Sequence, residues 1–126
     1  MNLNQVTIPA MDVSSSVAFY QKLGLKLIVN ALPDYARLEC PDGEATFSIH
    51  RESSPTKGQG AIIYFESENL DAEVKRLMAA GVTFDSGPRD EPWLWREARL
   101  KDPDQNRIVL FYAGQNRKFP PWRVGE

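Results

Sequence analysis

Apolar residues recur at two spacings along this chain, and the spacing changes where turn residues intervene. Residues 3–9 alternate, with Leu3, Val6 and Ile8 on one side and Gln5 and Thr7 on the other after a break at Asn4. A period of two predicts a half-buried strand, stopped by Pro9, which has no ladder donor. Val13, Val17, Tyr20 and Leu23 then recur at helical spacing behind a capping Asp12 or Ser14, and Gly24 closes the run, so a helix is expected over about 13–22. Residues 25–30 read as a short strand, Leu32-Pro33-Asp34 as a turn, and 35–40 as a further strand. Pro41-Asp42-Gly43-Glu44 signals a hairpin into 45–51, where Phe47 and Ile49 oppose Thr46, Ser48 and His50.

Residues 52–60 are a linker by composition, and beyond them the order of patterns starts again. Residues 61–67 form a strand, Asn69 is placed to cap, and Leu70, Val74, Leu77 and Met78 make a helical stripe closed by Gly81. Shifted by 57 positions, Asp12, Val13, Val17, Tyr20 and Gly24 fall on Asn69, Leu70, Val74, Leu77 and Gly81. The match preserves cap, stripe and terminator together, the signature of an internal repeat. Residues 82–85 read as a short strand and 86–93 as a loop rich in Gly, Pro and acidic residues. From 94 to 101, Arg96, Ala98 and Leu100 alternate against Trp95, Glu97 and Arg99, and a polar turn at 102–106 runs into the apolar strand 107–112.

The pattern predicts an α+β fold in a single domain, 1–126. Its βαβββ modules, 3–52 and 60–114, pair as a curved mixed sheet with an open cup, and a tail follows at 115–126. Each module has one apolar sheet face for its helix to cover. If the two sheets curve toward one another, their less apolar faces line a cup that suits a small molecule. The first module offers Thr7, Ser48 and His50 to it. The second offers Ile62, Tyr64, Trp95, Glu97, Arg99, Arg107, Val109 and Phe111.

Composition narrows the partners. At 126 residues, 25% charged and 42% hydrophobic, the chain is long enough to bury a core. A formal net charge of -2 gives no electrostatic attraction to nucleic acid or a membrane surface, and Arg117, Lys118 and Arg123 are too dispersed to make a basic patch. Cys40 is the only cysteine, which excludes an intrachain disulfide and a thiolate zinc site; it is expected to be a buried structural thiol. With no signal-like N-terminus and no run approaching ~18 apolar residues, a soluble, cytoplasmic protein is expected. Gly58-Gln59-Gly60 lacks the spacing, lysine and helix of a phosphate loop.

The residues that could carry chemistry are few. His50 is the sole histidine and lies near a strand end, where hydrogen bonding to a neighbour competes with pocket lining and catalysis. Glu97 and Arg99, two apart on one strand, share a face and can form either a salt-bridged pair that fixes a ligand's polar end or a solvated sheet edge. Arg107 shares a strand face with Val109 and adds a second cation. Trp95 is expected to wall the pocket and Trp93 to be a core or interface residue. Trp122, held by Pro120 and Pro121, is expected to anchor packing or a dimer contact.

Three runs stand out: Asp12-Val13 with Ser16-Val17-Ala18-Phe19-Tyr20 and Leu23-Gly24; Leu70-Asp71-Ala72 with Leu77 and Ala80-Gly81-Val82; and Asp102-Pro103-Asp104-Gln105-Asn106-Arg107-Ile108. Together they resemble the glyoxalase / bleomycin-resistance / extradiol-dioxygenase superfamily, also called vicinal oxygen chelate proteins. The resemblance covers about residues 3–113 and implies the paired-module fold. It also implies a divalent metal in the cup, held by His, Gln or Glu so that open positions can take two adjacent substrate oxygens. On this chain the ligand positions fall on Gln5, Ser48, Ile62 and Val109. Ile62 and Val109 cannot bind metal, and a slip of one residue meets only Ala61, Ile63, Ile108 or Leu110.

The expectation is therefore a homodimeric protein of the bleomycin-resistance type that binds a small molecule of unknown identity, with no metal, no cofactor and no assigned catalytic residue. Two alternatives stand beside it. One is an enzyme, either a metal-dependent lyase, isomerase or dioxygenase or a metal-free variant with His50 or Glu97 as base. The other is an interaction module whose cup is filled by side chains.

Overall fold

The structure, a computed structural model, describes residues 2–54 and 60–125. Most of the expected linker, and with it Gly58 and Gln59, lies outside the described residues. The elements run β1 (Gln5–Ala10), α1 (Val13–Lys22), β2 (Lys26–Ala31), β3 (Tyr35–Glu39), β4 (Thr46–Arg51), β5 (Ile62–Glu66), α2 (Leu70–Ala79), β6 (Ser86–Asp90), β7 (Arg96–Lys101) and β8 (Arg107–Tyr112). A short 3-10 helix, Gly114–Asn116, follows. The strands form two four-stranded mixed sheets, ordered β1-β4-β3-β2 and β5-β8-β7-β6. In each, the first and last strands of the module pair in parallel and the other neighbours are antiparallel. This is the βαβββ arrangement of a glyoxalase-like α+β fold.

Contacts divide the chain into two compact units. One is Met1–Gly60 with the turn Asp102–Asn106, and the other is Ala61–Lys101 with Arg107–Glu126. In the first unit, Ile8, Ala10, Ala36, Leu38, Phe47 and Ile49 form one sheet face, and α1 buries Val13, Val17 and Tyr20. The helix starts where the Asp12 carboxylate accepts the Ser15 amide (3.2 Å) and hydroxyl (2.9 Å). It ends at Gly24, whose φ of +102° only glycine adopts without strain, with the Leu25 amide donating to the Tyr20 carbonyl (3.1 Å).

The second unit repeats this closure. Gly81 (φ +92°) ends α2, and the Val82 amide donates to the Leu77 carbonyl (2.9 Å). Each of these residues stands 57 positions after its counterpart, so the repeat holds at the level of individual hydrogen bonds. Leu70, Val74 and Leu77 are buried on the α2 side.

The turn Asp102–Asn106 joins β7 to β8 yet clusters with the first unit. Its Asp102 carboxylate accepts the Tyr20 hydroxyl (2.7 Å), the Asp104 and Asn106 amides (2.9 Å each) and the Asn106 side-chain amide (2.8 Å). The same Asn106 group donates to the Pro9 carbonyl (3.1 Å), while Asp104 accepts from the Met11 amide (2.9 Å) and the Ser16 hydroxyl (3.3 Å). The end of β1 and the start of α1 are thus fastened by one turn.

Several local expectations are corrected. β1 continues through Pro9 to Ala10, because an edge strand has a side on which a missing N–H costs nothing, and Leu3 is exposed. Residues 82–85 are not a strand; Val82 is buried as the hydrophobic contact that closes α2. The strand is β6, within the stretch expected to be loop. Gly87 and Pro88 are tolerated there because β6 is an edge strand whose register with β7 shifts between Ser86 and Arg89. Met78 lies on the exposed side of α2, and the Asn69 side chain makes no capping bond. β7 begins at Arg96, since Leu94 (φ +68°) turns the chain just before it. Cys40 is half-buried rather than fully buried; burial, then Asp42, raises its thiol pKa, which disfavours the reactive thiolate. Among the described residues no helix is long and apolar enough to cross a membrane.

Burial, then the Asp102 carboxylate, pushes the Tyr20 phenol well above its ordinary value. A raised pKa in the folded state is stabilising below the unfolded value and is lost as pH climbs above it. Near neutral pH, Tyr20→Phe is expected to cost about 1.5–3 kcal/mol. Above about pH 10 the gap to the wild type should close by about 1.4 kcal/mol per pH unit. Urea melts of both proteins from neutral to alkaline pH check this; a gap that stays constant above pH 10 would show that the phenol is not held protonated.

Candidate functional site

Strand register decides which side chains share a face. In the first unit, Gln5, Thr7 and Pro9 on β1 pair with Thr46, Ser48 and His50 on β4, and Tyr35, Arg37 and Glu39 on β3 pair with His50, Ser48 and Thr46. These residues lie on the face opposite the one α1 covers. The Ser48 hydroxyl is buried and shares a hydrogen bond with the Tyr35 phenol (2.7 Å), which also accepts from Arg37 Nε (2.9 Å). The bond from Ser48, and after it Arg37, lowers the Tyr35 pKa. Gln5 Oε1 accepts the Thr46 hydroxyl (2.9 Å), and Thr7 is exposed. His50 is exposed at the end of β4, with Nδ1 3.5 Å from the Glu52 carboxylate.

The second sheet places its residues in rows across β5, β8 and β7. One row is Ile62, Arg107 and Lys101, the next Tyr64, Val109 and Arg99, and the third Glu66, Phe111 and Glu97. Glu97 is buried, and both its oxygens are engaged: Trp93 Nε1 donates to one (2.6 Å) and Arg99 Nη2 to the other (2.8 Å). β7 is an inner strand, so the pair is an internal ion pair rather than a solvated edge. Glu66 accepts the Ala113 (2.9 Å) and Gly114 (3.0 Å) amides, fixing the chain where β8 ends.

Three aromatic residues of the second unit form one cluster. Trp95 stacks on Phe111 with ring centroids 4.7 Å apart, and Tyr64 meets both edge-on at 5.8 and 5.6 Å. Phe111 and Val109 are buried beneath Trp95 and Ile62, whereas Tyr64 keeps 43% of its surface exposed. Trp95 is tied to the segment after β8 through Nε1 and the Asn116 carbonyl (3.3 Å).

Beside Val109 a cavity of about 220 Å³ opens within this unit. Ile62 and Val109 give it apolar walls; Arg99, Lys101 and Arg107 line it with cations, and Asp85 and Ser86 approach from the start of β6. Lys101 and Asp85 are 2.9 Å apart, each half-exposed.

The expected site residues thus separate by sheet. Gln5, Thr7, Ser48 and His50 share a face of the first, and Ile62, Tyr64, Glu97, Arg99, Arg107, Val109 and Phe111 share a face of the second, with Trp95 packed on it. Sequence reasoning missed Tyr35, Arg37, Lys101, Asp85 and Trp93's bond to Glu97. The first three sit two residues from, or directly across from, a residue already singled out, so the hairpin register at 41–44 and the turn at 102–106 carried the signal.

The metal set implied by the family resemblance does not fit these side chains. Ile62 and Val109 have no donor atom, and the Ser48 hydroxyl is buried against Tyr35. Among the described residues, no group of three or more His, Cys, Asp or Glu is placed to hold a metal ion.

The family model of the Glyoxalase/Bleomycin resistance protein/Dioxygenase superfamily matches residues 2–110. No curated protein matches the chain. Among solved structures, a glyoxalase/bleomycin resistance protein/dioxygenase from Nocardioides is 22% identical, with a TM-score of 0.80, covering 99% of this chain and 90% of its own. A lactoylglutathione lyase from Agrobacterium tumefaciens is 13% identical (TM-score 0.73; 88% and 92% covered). A bleomycin-binding protein complexed with bleomycin is 18% identical (TM-score 0.72; 89% and 98% covered). At these identities the likeness is one of fold.

The buried Glu97 carboxylate depends on its two donors. Trp93→Phe removes one charge-assisted bond and is expected to cost about 1–3 kcal/mol. Glu97→Ala, which also strips Arg99 of its partner, should cost at least as much. Denaturant melts read both, and a loss under ~0.5 kcal/mol for each would show the pair to be energetically idle.

Proposed function

Because the chain belongs to the glyoxalase/bleomycin resistance protein/dioxygenase superfamily, we propose that it is a small-molecule-binding member that works without the superfamily's metal-ligand set. The observation that carries this reading is the row Tyr64, Val109 and Arg99 beside the cavity. Val109 stands where a metal ligand would be needed, and it lies buried under Ile62 between an exposed ring and a positioned guanidinium. A concave, partly apolar site with a few fixed polar groups suits binding.

Of the two uses named among the fold neighbours, drug binding and lyase chemistry, the donor set favours binding. A metal-free enzyme has little support either: Glu97 has both oxygens occupied by Trp93 and Arg99, and His50 is exposed beside Glu52. Trp95, Arg107 and Ile62 complete the candidate contacts on the second sheet; on the first sheet, taken by itself, Gln5, Thr7 and His50 are the exposed candidates. Ser48, Glu97 and Phe111 act from beneath as supports.

A homodimer is part of the same reading, supported by Ile28, Val29 and Leu32, which stay exposed on or just after the edge strand β2, and by Phe119 and Trp122 in the tail. A cytoplasmic location is the compartment we propose, which the single cysteine fits.

Protein purified and exposed to Ni, Zn, Fe or Mn is expected to hold far less than one equivalent after desalting, as read by elemental analysis. Stoichiometric metal that is lost on Gln5→Ala or His50→Ala would overturn the metal-free reading. Light scattering at micromolar concentration should give a dimer mass; a monomer counts against the assembly.

A further inference from the structure

The cavity beside Val109 is charged along one side. Of the side chains that line it, Arg99, Lys101 and Arg107 are cationic and Asp85 alone is acidic. Arg99 is fixed through Nη2 by Glu97, which Trp93 holds in turn, so its guanidinium reaches the cavity wall already oriented. An oriented guanidinium loses less freedom on gripping an oxyanion than a free side chain does. With Glu97 on Arg99 and Asp85 on Lys101, three cations stand against two carboxylates, and one positive charge remains in excess beside the cavity.

Size sets a second condition. A drug-sized ligand needs roughly 300–1,000 Å³, so a cavity of about 220 Å³ holds one end of a ligand rather than the whole. The rest must lie over neighbouring surface, and half-buried Ile62 with the exposed Tyr64 ring two residues along β5 provides it. Adjacent strands are about 4.8 Å apart, so Tyr64 and Arg99 stand roughly 10 Å apart at their backbones across the apolar Val109. Tyr64 is the exposed ring of an aromatic cluster that Trp95 and Phe111 hold rigid.

We propose that this cavity takes the oxyanion of an aromatic ligand, a carboxylate or phosphate gripped by Arg99, Arg107 and Lys101, with the attached ring lying over Ile62 toward Tyr64. The inference rests on the small-molecule reading above and names the ligand class of that site. It sets the chain apart from a binder of cationic drugs, for which three cations are repulsive.

Calorimetric titration with four probes of matched shape tests this: 2-naphthoate, 2-naphthyl phosphate, neutral 2-naphthamide and the cation 2-naphthylmethylammonium. At least one anion is expected to bind roughly tenfold or more tightly than the amide, and which anion is preferred distinguishes carboxylate from phosphate. That preference should fall to within about threefold in Arg107→Gln and in the milder, surface Lys101→Gln. It should persist in Arg89→Gln, which lies outside the cavity, with circular dichroism confirming the fold of each variant. Equal binding of anion and amide, a preference for the cation, or an anion preference untouched by both variants overturns the inference and leaves the small-molecule reading standing. Failure of all four probes to bind up to millimolar concentration overturns both.

Discussion

The Asp102 carboxylate is the interaction on which most of the first unit's geometry depends. It is buried, and four donors converge on it: the phenol of Tyr20 from α1, two backbone amides of its own turn, and the side chain of Asn106. A buried carboxylate is tolerable only when its lone pairs are filled, so the bonds are mutually required. Asn106 and Asp104 extend the same turn to the Pro9 carbonyl, the Met11 amide and the Ser16 hydroxyl, where β1 gives way to α1. The residues that launch β8 are therefore also those that fix the first helix. A turn of this kind resists substitution for packing reasons alone, which is why it marks the fold without marking a reaction.

The two sheets carry one scaffold with different chemistry on it. In both, the strand before the last bears an arginine that bonds the side chain two residues earlier: Arg37 to Tyr35 in the first, Arg99 to Glu97 in the second. Both arginines sit directly across from the middle of the last strand, Ser48 in one case and Val109 in the other. Against Ser48 the result is a hydroxyl network in which phenol, serine and guanidinium satisfy one another. Against Val109 the arginine is instead held by a buried acid, and the space beside it opens into the cavity. The two sheets thus differ at two equivalent positions, Tyr35 against Glu97 and Ser48 against Val109, and the cavity lies beside the second pair.

Much of this was legible in the sequence. The helix stripes, the glycine terminators and the offset between the two halves gave the modules, because periodicity and left-handed closure are local properties. The pairing of Glu97 with Arg99 also followed from a two-residue spacing on one strand. β6 was not legible: Gly87 and Pro88 read as breakers, and only their place on a sheet edge beside a register shift makes them acceptable. Nor could the sequence say that Glu97 lies buried with Trp93 bonded to it, since that bond needs the turn at Leu94. Phe111 and Val109 were read as facing a ligand; alternation placed them on the right face, but burial depends on Trp95 and Ile62 folding over them. The partners of a face are set by neighbouring strands, and those lie far away in sequence.

On the reading proposed above, the donor-free side chains of Ile62 and Val109 bear on more than metal affinity. A divalent cation on this face would repel Arg99, Arg107 and Lys101, whereas apolar side chains there let them gather without one. On the same reading, the two side chains that cannot chelate a metal leave the three cations to face an oxyanion. The electrostatic task of the face is then inverted: in place of a bound cation that attracts substrate oxygens, the protein's own side chains supply the positive charge.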